Sequence, residues 1–218
     1  MNTIFVVSDV VCPWCYLGKR RLERALDATG HRGSIAVQWL PFELNPDMPP
    51  EGMPRSEYRA RKFGAARAAE LDARMEALGR EEGVPFAFGR MERTPNTRRA
   101  HMLIARATEL GRGDEVAEGL FRAYFDDARD VGDPEVLAEI GAGAGLDADQ
   151  VRAALDSTEL RAQVVALERR AAEMGISGVP FFVLEDGRSL SGAQPAETWE
   201  QVLGSLSAAT SAQAPAQS

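Results

Sequence analysis

The only two cysteines of this 218-residue chain stand three apart, in Cys12-Pro13-Trp14-Cys15. That spacing on a helix sets two sulfurs within one turn of each other, the arrangement that thiol–disulfide exchange needs. If Cys12 closes a strand-to-helix turn, its sulfur lies at the helix N-terminus, where unpaired N–H groups and the helix dipole favour a thiolate. Cys15 then sits one turn in, within reach of a mixed disulfide on Cys12. Pro13 lacks a donor that the first turn leaves unused anyway, and Trp14 can shield one side of the pair. Two inert, core-packed thiols are the competing reading. A zinc site needs four ligands, and the only histidines, His31 and His101, add no pair at ligand spacing, so neither metal nor cofactor is expected.

Four further positions bear on this chemistry. Asp9, three residues before Cys12, can exchange a proton with Cys15 or simply pin the turn, and the turn role is the expected one. Lys19, one turn beyond Cys15, can steady a thiolate, but a solvated helix residue is the default. His101 lies in a helical stretch and reads as a partly buried, hydrogen-bonded histidine, with a general-base role as the alternative. Gly178-Val179-Pro180 opens a strand, and a cis Val179-Pro180 bond would leave the Val179 backbone free to pair with an extended substrate.

The elements that must hold these residues follow from periodicity. Thr3 to Val7 is apolar without alternation, as in a central strand buried on both faces. Leu17, Leu22, Ala25 and Leu26 recur at helical spacing up to a stop at Gly30, and Ile35, Val37 and Trp39 alternate, giving strand–helix–strand and a parallel pair. Pro41 to Arg55 reads as an irregular connection. Helices are then expected from Ser56 to Gly79, from Asn96 or Thr97 to Gly111, from Asp114 past Phe125, after the Asp133-Pro134 cap, after an Asp147/Gln150 capping box, and from Ser157 to Gly175. Pro180 to Leu184 is a strand, Asp186-Gly187 suits a type I′ turn, and Ser189 to Ser191 returns. A last helix opens at Pro195 with Trp199, Val202, Leu203 and Leu206 on one face. Residues 207–218 are expected to be disordered.

The order strand–helix–strand, helices, then a proline-led strand–strand–helix resembles a thioredoxin fold with a helical insertion, as in the DsbA family. The FrnE-like branch is suggested by Asp9-Val10-Val11-Cys12-Pro13-Trp14-Cys15-Tyr16-Leu17-Gly18-Lys19-Arg20, Pro41-Phe42-Glu43-Leu44-Asn45-Pro46, Pro95-Asn96-Thr97 with His101, and Gly178-Val179-Pro180-Phe181-Phe182 before Ser191-Gly192-Ala193-Gln194-Pro195. The resemblance spans about Thr3 to Leu206. It implies a thiol–disulfide oxidoreductase with Cys12 and Cys15 as the redox pair and Pro180 as the cis-proline. The chain is also similar in architecture to 2-hydroxychromene-2-carboxylate isomerases and kappa-class glutathione transferases, which commonly put serine where Cys12 stands and, in the transferases, a Ser-Asp pair where this chain has Ala193-Gln194. Asn45, Asn96 and the Val179 backbone can still bind a small polar ligand.

Composition bounds the rest. The chain is 44% hydrophobic and 27% charged, with 25 Lys and Arg against 33 Asp and Glu, a net charge of −8. Scattered basic residues argue against a nucleic-acid partner, and no apolar run approaches the eighteen or so residues of a membrane span. Two cysteines and no leader-like segment before Thr3 suit a reducing cytoplasm. The expected fold class is α/β: one DsbA-like domain over residues 1–206, built from a thioredoxin unit (about 1–41 plus 158–206) and an all-helical insertion (about 56–157) that walls the Cys12 site. The expected activity is disulfide exchange through a mixed disulfide, on a protein or small-molecule disulfide or thiol, glutathione included. Trp14, Val179, Asn45, Asn96 and His101 are the expected substrate contacts. A glutathione-dependent isomerase or transferase is the alternative, and a peptide-binding module with incidental cysteines the third reading.

Overall fold

The structure, a computed structural model, describes residues 2–212. Strand β1 (Asn2–Ser8) lies inside a four-stranded sheet, parallel to β2 (Ile35–Pro41) and antiparallel to β5 (Phe181–Leu184), with β6 (Ser189–Ser191) beyond β5. Its unalternating apolar run is explained by burial on both faces. Ile4 and Val6 join the main core with Tyr16, Leu17 and Leu22, whereas Val7 packs on the other side with Ala171 and Ile176. The pairing of Val6 with both Trp39 and Phe182 fixes where the strand ends, and so where the cysteines begin.

Helix α1 (Pro13–Ala28) starts at a Cys12 N-cap in extended conformation with Pro13 at its first position, and the chain leaves it through Gly30 at φ 70°. Gly18 on its buried face is a close-approach glycine. A β-carbon there would stand 3.2 Å from both Pro180 Cγ and Phe182 Cζ, so its absence lets β5 lie against the helix. Helix α9 (Ala196–Ala212) covers the same region, with Trp199 edge-on to Phe182 at 4.8 Å between ring centroids.

Between β2 and β5 the chain is mainly helical, interrupted by the loop after β2, the connection over residues 83–97, and a two-residue ribbon that pairs β3 (Met53–Pro54) with β4 (Arg93–Thr94). The expected helix from Ser56 to Gly79 is two helices, α2 (Arg55–Phe63) and α3 (Ala65–Glu82), parted at Gly64. Gly64 holds φ 78° and ψ 145°, which a helix does not accommodate. Gly79 is no stop at all: it lies inside α3, where the Val84 carbonyl and the Phe86 ring leave no room for a β-carbon, and α3 ends at the left-handed Gly83. Helix α4 (Arg98–Glu109) and α5 (Gly113–Phe121) follow, and α5 passes into a π-turn over Arg122–Asp126. The caps act as read for α6 (Pro134–Gly143) and α7 (Ala148–Asp156), where Asp133 accepts from Glu135 N–H and Asp147 and Gln150 form the reciprocal box, and α8 (Thr158–Glu173) starts where expected, at Ser157, whose side chain accepts from Leu160 N–H.

Three local expectations need correction. In the β5–β6 hairpin only Gly187 has positive φ, so the turn is not type I′; the Leu184 carbonyl accepts from Gly187 N–H, and Asp186 instead uses its side chain to accept from Arg188 N–H. Lys19 is not solvated but 3% exposed, because three carboxylates gather around its amine. Helix α9 runs to Ala212, six residues into the segment expected to be disordered, since alanine favours helix even where complexity is low. Residues 213–218 of that expectation lie outside the described residues.

Candidate functional site

The two sulfurs sit where the end of β1 turns into α1. Cys12 N–H donates to the Asp9 carbonyl at 3.0 Å, and the Cys12 carbonyl accepts from Cys15 and Tyr16 N–H, which starts the helix. Both cysteines are free thiols, 4% and 1% exposed. The Cys12 thiol points at the Val179 carbonyl, 3.7 Å away. The Val179-Pro180 bond is cis, and the Val179 carbonyl beside it lies toward the Cys12 thiol. Burial pushes the Cys15 thiol well above its ordinary pKa, and the neighbouring Cys12 adds to this, while the Ser8 side chain and Asp9 backbone pull the other way.

Asp9 is a bracket. Fully buried, its carboxylate accepts from Leu44 N–H at 2.7 Å and from Val11 N–H at 3.4 Å. It thereby ties the cysteine turn to the loop after β2 and brings Leu44 and Asn45 to the site. Its third neighbour is His101 Nε2, 3.5 Å from Oδ1.

A cavity of about 390 Å³ opens in front of Cys12. Cys12, Trp14, Asn45 and Val179 line it, so these expected positions are brought together, with Val11 beside them. Asn96 and His101 are placed elsewhere. Asn96 donates to the Met48 carbonyl and accepts from Arg98 N–H, bracing the loop that precedes β3, and His101 is buried behind the Asp9 turn. The far wall comes from the insertion: Tyr58 and Phe63 of α2, Met75 of α3, and Tyr124 and Phe125, which the π-turn aims inward. It also carries Arg55, Arg59 and Lys62. Arg55 and Arg59 share the carboxylate of Asp72 at 2.8 and 2.5 Å, while Lys62 is held by the neutral oxygens of Asn45 and Tyr58. These cations were not read as site residues, although the i, i+4, i+7 spacing of Arg55, Arg59 and Lys62 marks one helical face just after a proline-rich loop.

The model of the DSBA-like thioredoxin domain matches residues 3–204. The chain belongs to the DSBA-like thioredoxin domain family. Among solved members, the probable DsbA oxidoreductase SCO1869 from Streptomyces coelicolor is similar to this DSBA-like chain at 36% identity and TM-score 0.84, covering 100% of this chain and 94% of that one. The uncharacterized protein YwbO of Bacillus subtilis (strain 168) is 27% identical over 92% of this chain and 94% of its own length. The cytosolic disulfide reductase DsbM from Pseudomonas aeruginosa, solved with GSH, shares the fold at TM-score 0.66 and 23% identity, over 94% of this chain and 98% of that one. Family and neighbours together support an oxidoreductase acting on thiols and disulfides. Among the described residues no helix is long and apolar enough to cross a membrane.

Proposed function

We propose that this DSBA-like protein is a dithiol–disulfide oxidoreductase of the FrnE-like branch, acting in a reducing cytoplasm through its Cys-Pro-Trp-Cys pair. Cys12 thiolate attacks a substrate disulfide, one substrate sulfur leaves as thiolate, and the other is held on Cys12 as a mixed disulfide. Cys15 thiolate then attacks Cys12 Sγ, the second substrate sulfur leaves, and the protein is left with a Cys12–Cys15 disulfide. Two electrons pass to the substrate, and the reverse sequence oxidises a dithiol. The observation that carries this reading is the unequal placement of the sulfurs: Cys12 lines the cavity and Cys15 does not. Trp14, Val179, Asn45 and Pro180 are the proposed contacts on the thioredoxin side.

The cationic wall favours substrates bearing carboxylates, with glutathione and its mixed disulfides as the nearest chemical class, as the GSH in the DsbM structure suggests by analogy. The same wall keeps a second reading in play: a glutathione-dependent isomerase or transferase, in which Cys12 takes the place of serine. Trapping separates the two. Cys15→Ala should accumulate a stable mixed disulfide on Cys12, Cys12→Ala should trap nothing, and the unaltered protein should end as the internal disulfide. Equal trapping by both variants would refute the assignment of roles. An unaltered protein that binds glutathione but never forms the internal disulfide would favour the second reading.

A further inference from the structure

Tyr16 follows the second cysteine and is tied to the first, since its N–H donates to the Cys12 carbonyl at 3.3 Å. Its side chain, 1% exposed, runs the other way, into the helical insertion. The ring stacks on Phe121 of α5 at 5.2 Å between centroids and on Phe125 of the π-turn at 5.8 Å, with interplanar angles of 5° and 17°. The hydroxyl accepts from Arg20 Nη2 at 2.9 Å and donates to Asp126 Oδ2 at 3.3 Å. Burial raises the pKa of that hydroxyl, so it keeps the proton it donates. Asp126 closes the π-turn, and its Oδ1 is buried without a hydrogen-bond partner among the described residues. The carboxylate therefore depends on Tyr16 and on Arg122 Nε at 3.8 Å. A π-turn is rare, and Ala128 just beyond it holds φ 58°, left-handed for a residue with a β-carbon. Such backbone persists only where its surroundings fix it. On the side of residues 87–93, the Phe125 carbonyl accepts from Ala87 N–H at 2.7 Å and the Tyr124 hydroxyl donates to the Arg93 carbonyl at 3.4 Å. On the side of the cysteine helix the anchor is Tyr16. Tyr124 and Phe125, the residues so placed, line the cavity in front of Cys12.

We propose that Tyr16 is a positioning residue of the exchange reaction: by holding Asp126 it sets where the Tyr124–Phe125 wall stands opposite Cys12, and so which disulfides the cavity retains. The inference rests on Cys12 being the attacking thiol. Tyr16 takes no part in bond making, since its hydroxyl is buried and engaged on both sides. A disulfide with bulk beyond its sulfurs reaches from Cys12 to the wall and gains from the wall's position, whereas one that ends close to its sulfurs does not. Contacts so far from the reacting atoms are made equally before and during sulfur exchange. They therefore lower the concentration at which the site fills and leave the maximal rate alone.

Rapid-quench mass spectrometry of the full chain gives the rate of adduct formation on Cys12 against disulfide concentration. Tyr16→Phe keeps the ring stacks and loses only the hydroxyl. It should raise the half-saturating concentration of oxidised glutathione about tenfold, the scale of one lost hydrogen bond to a charged group, with the maximal rate within about twofold. The rate with the small hydroxyethyl disulfide and the alkylation of Cys12 by iodoacetamide should also stay within about twofold, readouts that a general loosening of the site would move. Asp126→Ala should reproduce the tenfold shift, and it decides the matter by itself where Tyr16→Phe does not fold. Adding it to Tyr16→Phe should shift nothing further, because the two act through one bond. Asp126→Asn keeps an oxygen for the hydroxyl and should stay within about twofold of the unaltered protein. An unchanged half-saturating concentration in Tyr16→Phe or Asp126→Ala would overturn the proposal, as would equal slowing with both disulfides or additive losses in the double variant. Failure of the unaltered Cys12 to form any adduct would instead refute the exchange reading beneath it.

Discussion

Two clusters of charge differ in how their charges are matched. Around Lys19 and Arg20 of α1 stand Glu23, Asp114 and Glu118, with Lys19 at 3.0 Å from Glu118 and Arg20 at 2.5 Å from the same carboxylate. Two cations face three carboxylates, Trp39 Nε1 donates to Asp114 at 2.9 Å, and none of these residues lines the cavity beside Cys12. Around Asp72 the balance is reversed, since Arg55, Arg59 and Lys62 have one carboxylate among them and do line that cavity. A cluster whose cations are all matched by carboxylates fastens α1 to α5, whereas one with surplus positive charge has something to offer an anionic ligand. The strength of an ion cluster and its functional weight are therefore separate properties.

The largest expected effect falls on the cluster whose cations are matched. Lys19→Met leaves Glu23 and Glu118 without their buried partner and should cost about 3 kcal/mol in urea unfolding, with the charge preference of the cavity unchanged. A change in that preference would break the distinction between the clusters. Acid should act in the same place. Burial raises the Glu118 pKa, but Lys19 and Arg20 outweigh it and hold the group below 4.5. Its stabilisation is then complete above the ordinary carboxylate range and lost as pH falls through the lowered value. Glu118→Gln should flatten that acid limb of the stability curve.

A smaller effect, about tenfold in rate or roughly 1.4 kcal/mol, is expected from the unmatched cluster. Arg59→Gln should slow adduct formation on Cys12 by an anionic disulfide relative to the neutral hydroxyethyl disulfide, and added salt should narrow the same gap in the unaltered protein. Equal rates with anionic, neutral and cationic disulfides would show that the cations are not read by the substrate. Smaller still, Gly18→Ala sets the roughly 1 kcal/mol that alanine gains over glycine inside a helix against a new methyl 3.2 Å from the Pro180 and Phe182 rings, and because two packed rings must give way thermal unfolding should show a small net loss of stability.

What was legible in the sequence is what local chemistry decides. The β1–α1–β2 unit, the cysteines at the helix start and the Asp133, Asp147 and Ser157 caps are each specified by residues close in sequence. What was not legible depends on partners far along the chain. Gly79 looked like a stop because nothing near it announces the Phe86 ring that requires a glycine. Lys19 looked solvated because two of its carboxylates, Asp114 and Glu118, belong to α5 or its first turn, almost a hundred positions away. Asn96 and His101 were read as substrate contacts from a motif, and only the packing of α4 places them off the substrate cavity. The cationic face of α2 was readable as a helical stripe, but its meeting with Cys12 is a matter of tertiary structure.

The central claim is that two thiols three residues apart form one redox unit with unequal access, and alkylation of the reduced protein tests it most directly. With iodoacetamide followed by peptide mass mapping, Cys12 should be modified much faster than Cys15, which should react only on unfolding, and mild oxidation should remove both thiols together as a single internal disulfide. Cys12 and Cys15 alkylating at equal rates, or disappearing independently on oxidation, would contradict the account.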